Sequence, residues 1–265
     1  MISFKNRLVW ITGASSGIGR ELAIQMAKDG AHLIISSSDA QKLSRVADEC
    51  REFTSFCQEY PFNLSDPEEV KTTAETIVNT YEQIYLLINN GGISQRSLVK
   101  DTPVEIDRKI MEIDYFSHVI LTKAVLPGMI DAGEGFIAAT SSISGKFGFP
   151  LRSSYAAAKH AIQGFFETLR AEIKPYNISV TIAYPGRIQT NISLKAINEQ
   201  GEEYGLMDPG QMNGLSANKC ARQYIRAIKK RKPEIYIGKS EILMVHIKRF
   251  FPGLFFRIVT KIKPS

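Results

Sequence analysis

The stretch LVWITGASSGIG, Leu8 to Gly19, joins a short apolar run at residues 8–11 to a glycine-rich turn, and a helical pattern over residues 20–29 follows at once. Strand, turn and helix in that order open a parallel α/β sheet. The glycines let the backbone turn tightly and approach a ligand, and the N–H groups at the head of the helix are free to hold a pyrophosphate. The spacing is GxxxGxG, not the GxGxxG of the general dinucleotide fingerprint, so the motif draws its weight from its position after the first strand.

Working outward, strands and helices alternate. Strands are expected at residues 31–36, 55–64, 84–88, 136–140, 178–183 and 234–237. Helices are expected at 40–51, 65–81, 104–132, 154–174 and 217–231. The alternation predicts a doubly wound parallel sheet of about seven strands with helices on both faces, the Rossmann-type arrangement. Ser37 lies 20 residues beyond Gly17, where an NAD-binding fold usually carries an acid for the ribose 2′-hydroxyl, and here the sequence reads Ser36-Ser37-Ser38. Hydroxyls, with Arg20 and Lys42 nearby, would accept a 2′-phosphate that a carboxylate would repel, so NADP(H) is favoured and NAD(H) stays open. Asp39 is placed to cap the helix from Ala40. Asn63-Leu64 should lie near an adenine, and Asn89-Asn90-Gly91-Gly92 forms a turn at a strand's carboxyl end, where such sheets bind ligands.

The segment SSISGKFGFPLRSSYAAAKHAI, residues 141–162, places a serine, a tyrosine and a lysine in fixed relation. On a helix, Tyr155 and Lys159 are i and i+4 neighbours, and an ammonium beside a phenol favours the phenolate. That suits Tyr155 to giving or taking a proton. Residues 191–215 mix Ile192, Leu194, Ile197, Leu206, Met207 and Met212 with glycines and show no period, the composition of an apolar lid over a site.

Taken together, TGASSGIG at 12–19, NNGG at 89–92, SSISG at 141–145, YAAAK at 155–159 and PGRIQT at 185–190 resemble the short-chain dehydrogenase/reductase family over roughly residues 5–238. NNGGISQRSL and the ending HIKRFFPGLFF resemble, within it, the branch around dehydrogenase/reductase SDR family member 7, whose relatives are linked with membranes, NADPH and steroid, retinoid or lipid-derived carbonyls. The resemblance implies an oxidoreductase exchanging hydride between a nicotinamide and a carbonyl or secondary alcohol. It selects Ser142, 13 residues before the tyrosine, over Ser141. It implies that Ser142 and Tyr155 bond the substrate oxygen and that Lys159 holds the nicotinamide ribose. Thr190 would take the carboxamide. Gly13, Ser15, Ser16, Gly17, Ile18, Gly19, Ser37, Ser38, Asn63, Leu64, Asn90, Gly91, Pro185, Gly186 and Ile188 would line the rest of the cofactor site.

Three positions depart from the family pattern. Asp114 stands where an Asn usually kinks the helix and helps hold a relay water. An ionised carboxylate accepts hydrogen bonds but donates none, which puts the relay or its pH optimum in question. Asn63 replaces an Asp at the adenine site, and NNGG replaces NNAG, a change expected to cost little beyond backbone entropy. The alternative to an active enzyme is a cofactor-binding, membrane-associated sensor or scaffold whose catalysis Asp114 impairs.

At 265 residues with no Pro-, Gly- or Ser-rich linker, residues 1–238 are expected to form one domain. Cys50, Cys57 and Cys220 have neither metal spacing nor an even count, which predicts buried thiols in a reducing compartment. The four histidines, His32, His118, His160 and His246, are scattered, so no metal is expected. The N-terminus runs straight into a strand, so no signal peptide is expected and the body should stay cytoplasmic.

Net charge is +6 but unevenly spread: residues 218–265 carry 13 Lys and Arg against 2 acids, and the first 217 carry 20 against 25. The basic tail, residues 239–265, alternates apolar clusters with Lys248, Arg249, Arg257, Lys261 and Lys263, and Pro252-Gly253 should split it into two short helices. It suits either a membrane interface or packing on the body or on a partner subunit. Nucleic acid is not expected, because no recognition motif accompanies the charge. Small and apolar residues on several faces of the helices after Val104 and Ser154 are compatible with a homodimer or homotetramer.

Overall fold

The computed structural model describes residues 2–261. Met1 and residues 262–265, including Lys263 of the expected tail, lie outside the described residues. Seven parallel strands form the main sheet: β1 Leu8–Thr12, β2 His32–Ser36, β3 Cys57–Glu59, β4 Leu86–Asn89, β5 Gly135–Thr140, β6 Ile178–Pro185 and β9 Glu234–Ile237. Their order across the sheet is β3-β2-β1-β4-β5-β6-β9. The chain winds from β1 to one edge, then returns to place β4 on the other side of β1. That reversal leaves a crevice outside the carboxyl ends of β1 and β4.

The period-two geometry of a strand sends alternate side chains to opposite faces, and both faces are covered. Val9 and Ile11 of β1 enter one core with Leu33 and Ile35 of β2, α1 Gly17–Lys28, α2 Ala40–Arg51 and α8 Ala217–Lys229. Trp10 and Ile34 enter the other, with α3 Pro67–Thr80, α5 Ser117–Ala132 and α6 Ser153–Glu172. Trp10 is fully buried, and its indole N–H donates to Ser36 Oγ at 3.0 Å. The helix starts follow local chemistry. Asp39 accepts from the Lys42 N–H at 3.0 Å, as expected of a cap, and Asp66 accepts from Glu68 and Glu69 just ahead of Pro67.

One long helix was expected over residues 104–132, and here the structure differs. It divides into α4 Val104–Met111 and α5, joined by a π-helical turn, Glu112–Phe116, that carries Asp114. A widened turn of this kind inserts an extra residue and re-aims its side chains, here turning Asp114 inward to full burial.

Residues 191–215 are less irregular than their composition suggested. Ile197 exchanges backbone hydrogen bonds with Ser94 and Arg96. The segment also carries the short helix α7 Pro209–Met212, and the two-residue strands β7 Ile188–Gln189 and β8 Leu215–Ser216 pair across its ends. The tail forms two helices broken where Pro252 predicts, α9 Leu243–Phe250 and α10 Pro252–Val259. Val245 and Phe255 pack on Phe147 of the body, and Lys248 Nζ donates to the Lys146 carbonyl at 2.6 Å. Leu243, Phe250, Phe251, Leu254 and Phe256 point outward and are exposed. No helix among the described residues is long and apolar enough to cross a membrane.

Candidate active site

A cavity of about 540 Å³ opens at the carboxyl ends of the central strands. Gly13, Ser15, Ser16, Gly17 and Ile18 line it after β1, Ser37 and Ser38 after β2, and Asn63 and Leu64 after β3. Asn90 and Gly91 line it after β4, Ser142 after β5, Tyr155 and Lys159 from α6, and Pro185, Gly186, Ile188 and Thr190 after β6. Of the residues expected in the site, Gly19 and Asp114 are not on its wall. Gly19 instead lets the turn close: a Cβ there would meet the Gly13 carbonyl oxygen at 2.1 Å.

The turn is packed against the loop after β4. Gly13 has φ +64°, and a Cβ on it would lie 2.6 Å from Gly91 Cα. Thr12 Oγ1 accepts from the N–H groups of Asn90 and Gly91 at 3.0 and 3.1 Å, holding the two loops together. Gly91, in the position of the commoner Ala, lies under Leu64, whose Cδ1 would be 2.4 Å from an added Cβ. Gly91 thus leaves the space that Leu64 Cδ1 fills.

At the other end, the two serines after β5 are sorted by their bonds. Ser141 Oγ donates to the Lys159 carbonyl at 2.9 Å and ties the loop to α6. Ser142 Oγ accepts from the Ser144 N–H at 3.2 Å and makes only a long contact, 3.4 Å, to the Pro185 carbonyl. Lys159 Nζ lies 5.6 Å from the Tyr155 ring centroid, donates to the Thr140 carbonyl at 3.3 Å and lies 3.2 Å from Asp114 Oδ2. Asp114 Oδ1 accepts from the Ile93 N–H at 2.8 Å. Burial holds the Asp114 carboxyl above the usual carboxylate range, opposed by Lys159 and the Ile93 N–H.

Several contributors had no sequence signal. Gln95, fully buried, accepts with Oε1 from the N–H groups of Ser154 and Tyr155 at 2.9 and 3.4 Å and anchors the head of α6. The contact spans about 60 residues of chain, so no local pattern announces it. His118, one turn after Asp114, donates through Nε2 to the Gly91 carbonyl at 2.8 Å. Burial, with the Lys159 charge second, drives its pKa down to about 3, so the ring is neutral. At the β2 end, Arg20 is paired with Glu21 and Glu49, and Lys42 with Asp39, so neither expected cation is free.

The glycine turn that a Cβ would fill, the helix head behind it and the cavity from Ser37 to Tyr155 together fit an extended dinucleotide. Such a fold and site define a nicotinamide-type oxidoreductase class, and sequence comparison agrees. A profile described as short chain dehydrogenase matches residues 7–201. Dehydrogenase/reductase SDR family member 7B of Mus musculus is 40% identical over 260 residues, 96% of this chain and 80% of the relative. Dehydrogenase/reductase SDR family protein 7-like of Drosophila melanogaster is 36% identical over 268 residues, 97% of this chain and 82% of the relative. A short chain dehydrogenase/reductase from Burkholderia phymatum, solved in complex with NAD, superposes with a TM-score of 0.85 over 96% of both chains at 22% identity, which establishes the shared fold. The chain belongs to the short-chain dehydrogenase/reductase family, and its similarity within that family is to the member 7 branch.

Proposed function

We propose that this protein is an NADP(H)-preferring carbonyl reductase or alcohol dehydrogenase for an apolar or lipid-like substrate. The observation that carries the reading is the meeting of Ser142, Tyr155 and Lys159 with the glycine turn and Thr190 on one cavity. A bound nicotinamide supplies or accepts the hydride. Ser142 and Tyr155 hold the substrate oxygen by their hydroxyls, and Tyr155 gives that oxygen its proton in reduction or takes it in oxidation. Lys159 stabilises the charge left on the phenolate, and Thr190 is available to the carboxamide. Ile93, Ile113, Ile192 and Ile197 on the same wall favour an apolar substrate.

The preference for NADP(H) rests on Ser37 and Ser38, on the diversion of Asp39 to its cap, and on Lys195. The Asp39 carboxyl is held below the usual range first by Lys42 and, least, by Lys195, which lines the cavity. Lys195 is the cavity cation we assign to a 2′-phosphate. Turnover of a panel of apolar ketones and aldehydes with NADPH and NADH tests the whole reading. Tyr155→Phe is expected to lower kcat/KM by about 10²–10⁴-fold with little change in cofactor affinity. Unchanged turnover, or NADPH bound tightly with no carbonyl reduced, would overturn it.

Two partner proposals accompany this function. The outward aromatics of α9 and α10, flanked by Lys248, Arg249 and Arg257, suit peripheral contact with an anionic membrane surface. The outer faces of α5 and α6, next to the exposed Phe116, suit self-association, which sedimentation equilibrium measures directly.

A further inference from the structure

Beside the tyrosine lies a charge cluster that the reaction above does not use. Arg96 has a side chain only 2% exposed, and Arg152 one 21% exposed. Both converge on one oxygen of one carboxylate: Arg152 Nη2 lies 3.0 Å and Arg96 Nη2 3.4 Å from Asp208 Oδ2. The other oxygen, Oδ1, is turned away to the Gly210 N–H at 2.7 Å, where it caps α7. Neither guanidinium therefore makes the two-pronged pair that it makes with a dedicated carboxylate. Arg96 spends its remaining bonds on Ser94 Oγ and the Gln95 carbonyl, which are neutral. Among the described residues, one buried and one partly buried cation share one anion, an arrangement that burial penalises unless a further negative charge completes it.

The place of the cluster says what that charge would belong to. Arg152 precedes Tyr155 by three residues at the head of α6, and Arg96 adjoins Gln95, which holds the Tyr155 N–H. Asp208 comes from the 191–215 segment, three residues before Gln211, which lines the cavity and whose Oε1 lacks a partner; Arg96, Arg152 and Asp208 themselves stand behind that lining. The Asp208 N–H is held by Ser193 Oγ at 3.2 Å, so Asp208 is a fixed part of that segment.

We propose that Arg96 and Arg152 form a subsite for an anionic group, carboxylate or phosphate, carried by the carbonyl substrate, and that Asp208 occupies this subsite until substrate displaces it. The proposal rests on the carbonyl-reductase reading and narrows its substrate to an apolar chain bearing a negative charge. Asp208 then also couples binding to the lid, because an incoming anion releases the segment that carries it.

The test titrates octyl phosphate, octanoate and octanol separately into the full chain with NADPH, by calorimetry. At least one anion is expected to bind about tenfold or more tighter than octanol, and which one identifies the group. Arg152→Gln should abolish the difference and Asp208→Asn should enlarge it. Equal binding of all three ligands, or a preference that survives both Arg152→Gln and Arg96→Gln, overturns the subsite. Should the arginine variants fail to fold, Asp208→Asn decides alone: anion affinity must rise, and a fall or no change overturns it. Ketone turnover is measured in parallel. Neutral ketones reduced without any anion preference sink the subsite and leave the reductase. Arginine-dependent anion binding with no ketone reduced sinks the reductase and leaves the subsite.

Discussion

Asp114 Oδ2 lies 3.2 Å from Lys159 Nζ, and both side chains are buried. The lysine that should favour the tyrosine phenolate thus has an acid beside it, and burial already raises that acid above the usual carboxylate range. Replacing Asp114 by Asn removes the offsetting charge and leaves the ammonium to act on Tyr155 alone. The pH profile of kcat/KM is expected to shift to lower pH by on the order of one unit, in the same direction for reduction and oxidation. An unmoved profile would mean that the Asp114 carboxyl is already protonated through the working range.

Gly13→Ala tests the closeness of the two loops. The added methyl would sit 2.6 Å from Gly91 Cα on a backbone at φ +64°. The left-handed conformation alone costs about 1–3 kcal/mol, and the clash adds to it. Thermal unfolding should begin at lower temperature, and NADPH affinity measured by fluorescence should fall by at least an order of magnitude.

His118 supplies a pH-dependent stability. Its folded pKa is pushed down to about 3 from an ordinary 6.5, so below pH 6.5 the unfolded chain takes a proton that the folded chain refuses. The stability is present in full above 6.5 and is lost progressively as pH falls toward 3. Between pH 7 and 5 this site should cost the wild type about 2 kcal/mol that His118→Asn does not lose. Urea titrations of both proteins at the two pH values make the comparison.

The tail separates burial from exposure on adjacent residues. Phe255 is 2% exposed against Phe147, and Phe256 is 59% exposed. Phe255→Ala should destabilise the fold by about 3–5 kcal/mol, and Phe256→Ala by less than about 0.5 kcal/mol. Co-sedimentation with phosphatidylserine vesicles should respond in the opposite sense. Phe256→Ala combined with Phe250→Ala is expected to weaken binding while leaving the melting temperature unchanged, and equal binding by wild type and double variant would remove the membrane proposal.

The sequence by itself determined the strand order of appearance, the glycine turn, the positions of Ser142, Tyr155 and Lys159, and the break at Pro252. Each of these is written in local spacing: period two for strands, i to i+4 on a helix, a fixed φ at proline. Both serines after β5 line the cavity, and the choice of Ser142 came from the resemblance; the bond of Ser141 Oγ to the Lys159 carbonyl commits the other hydroxyl to α6. The tertiary structure alone decided the π-helical turn that buries Asp114, the hold of Gln95 on Tyr155, the neutral His118 under Gly91, and the convergence of Arg96 and Arg152 on Asp208. These partners come from distant parts of the chain, Arg96 and Asp208 standing 112 residues apart. A buried charge or amide takes whatever partner folding brings within reach, and no local period records that choice.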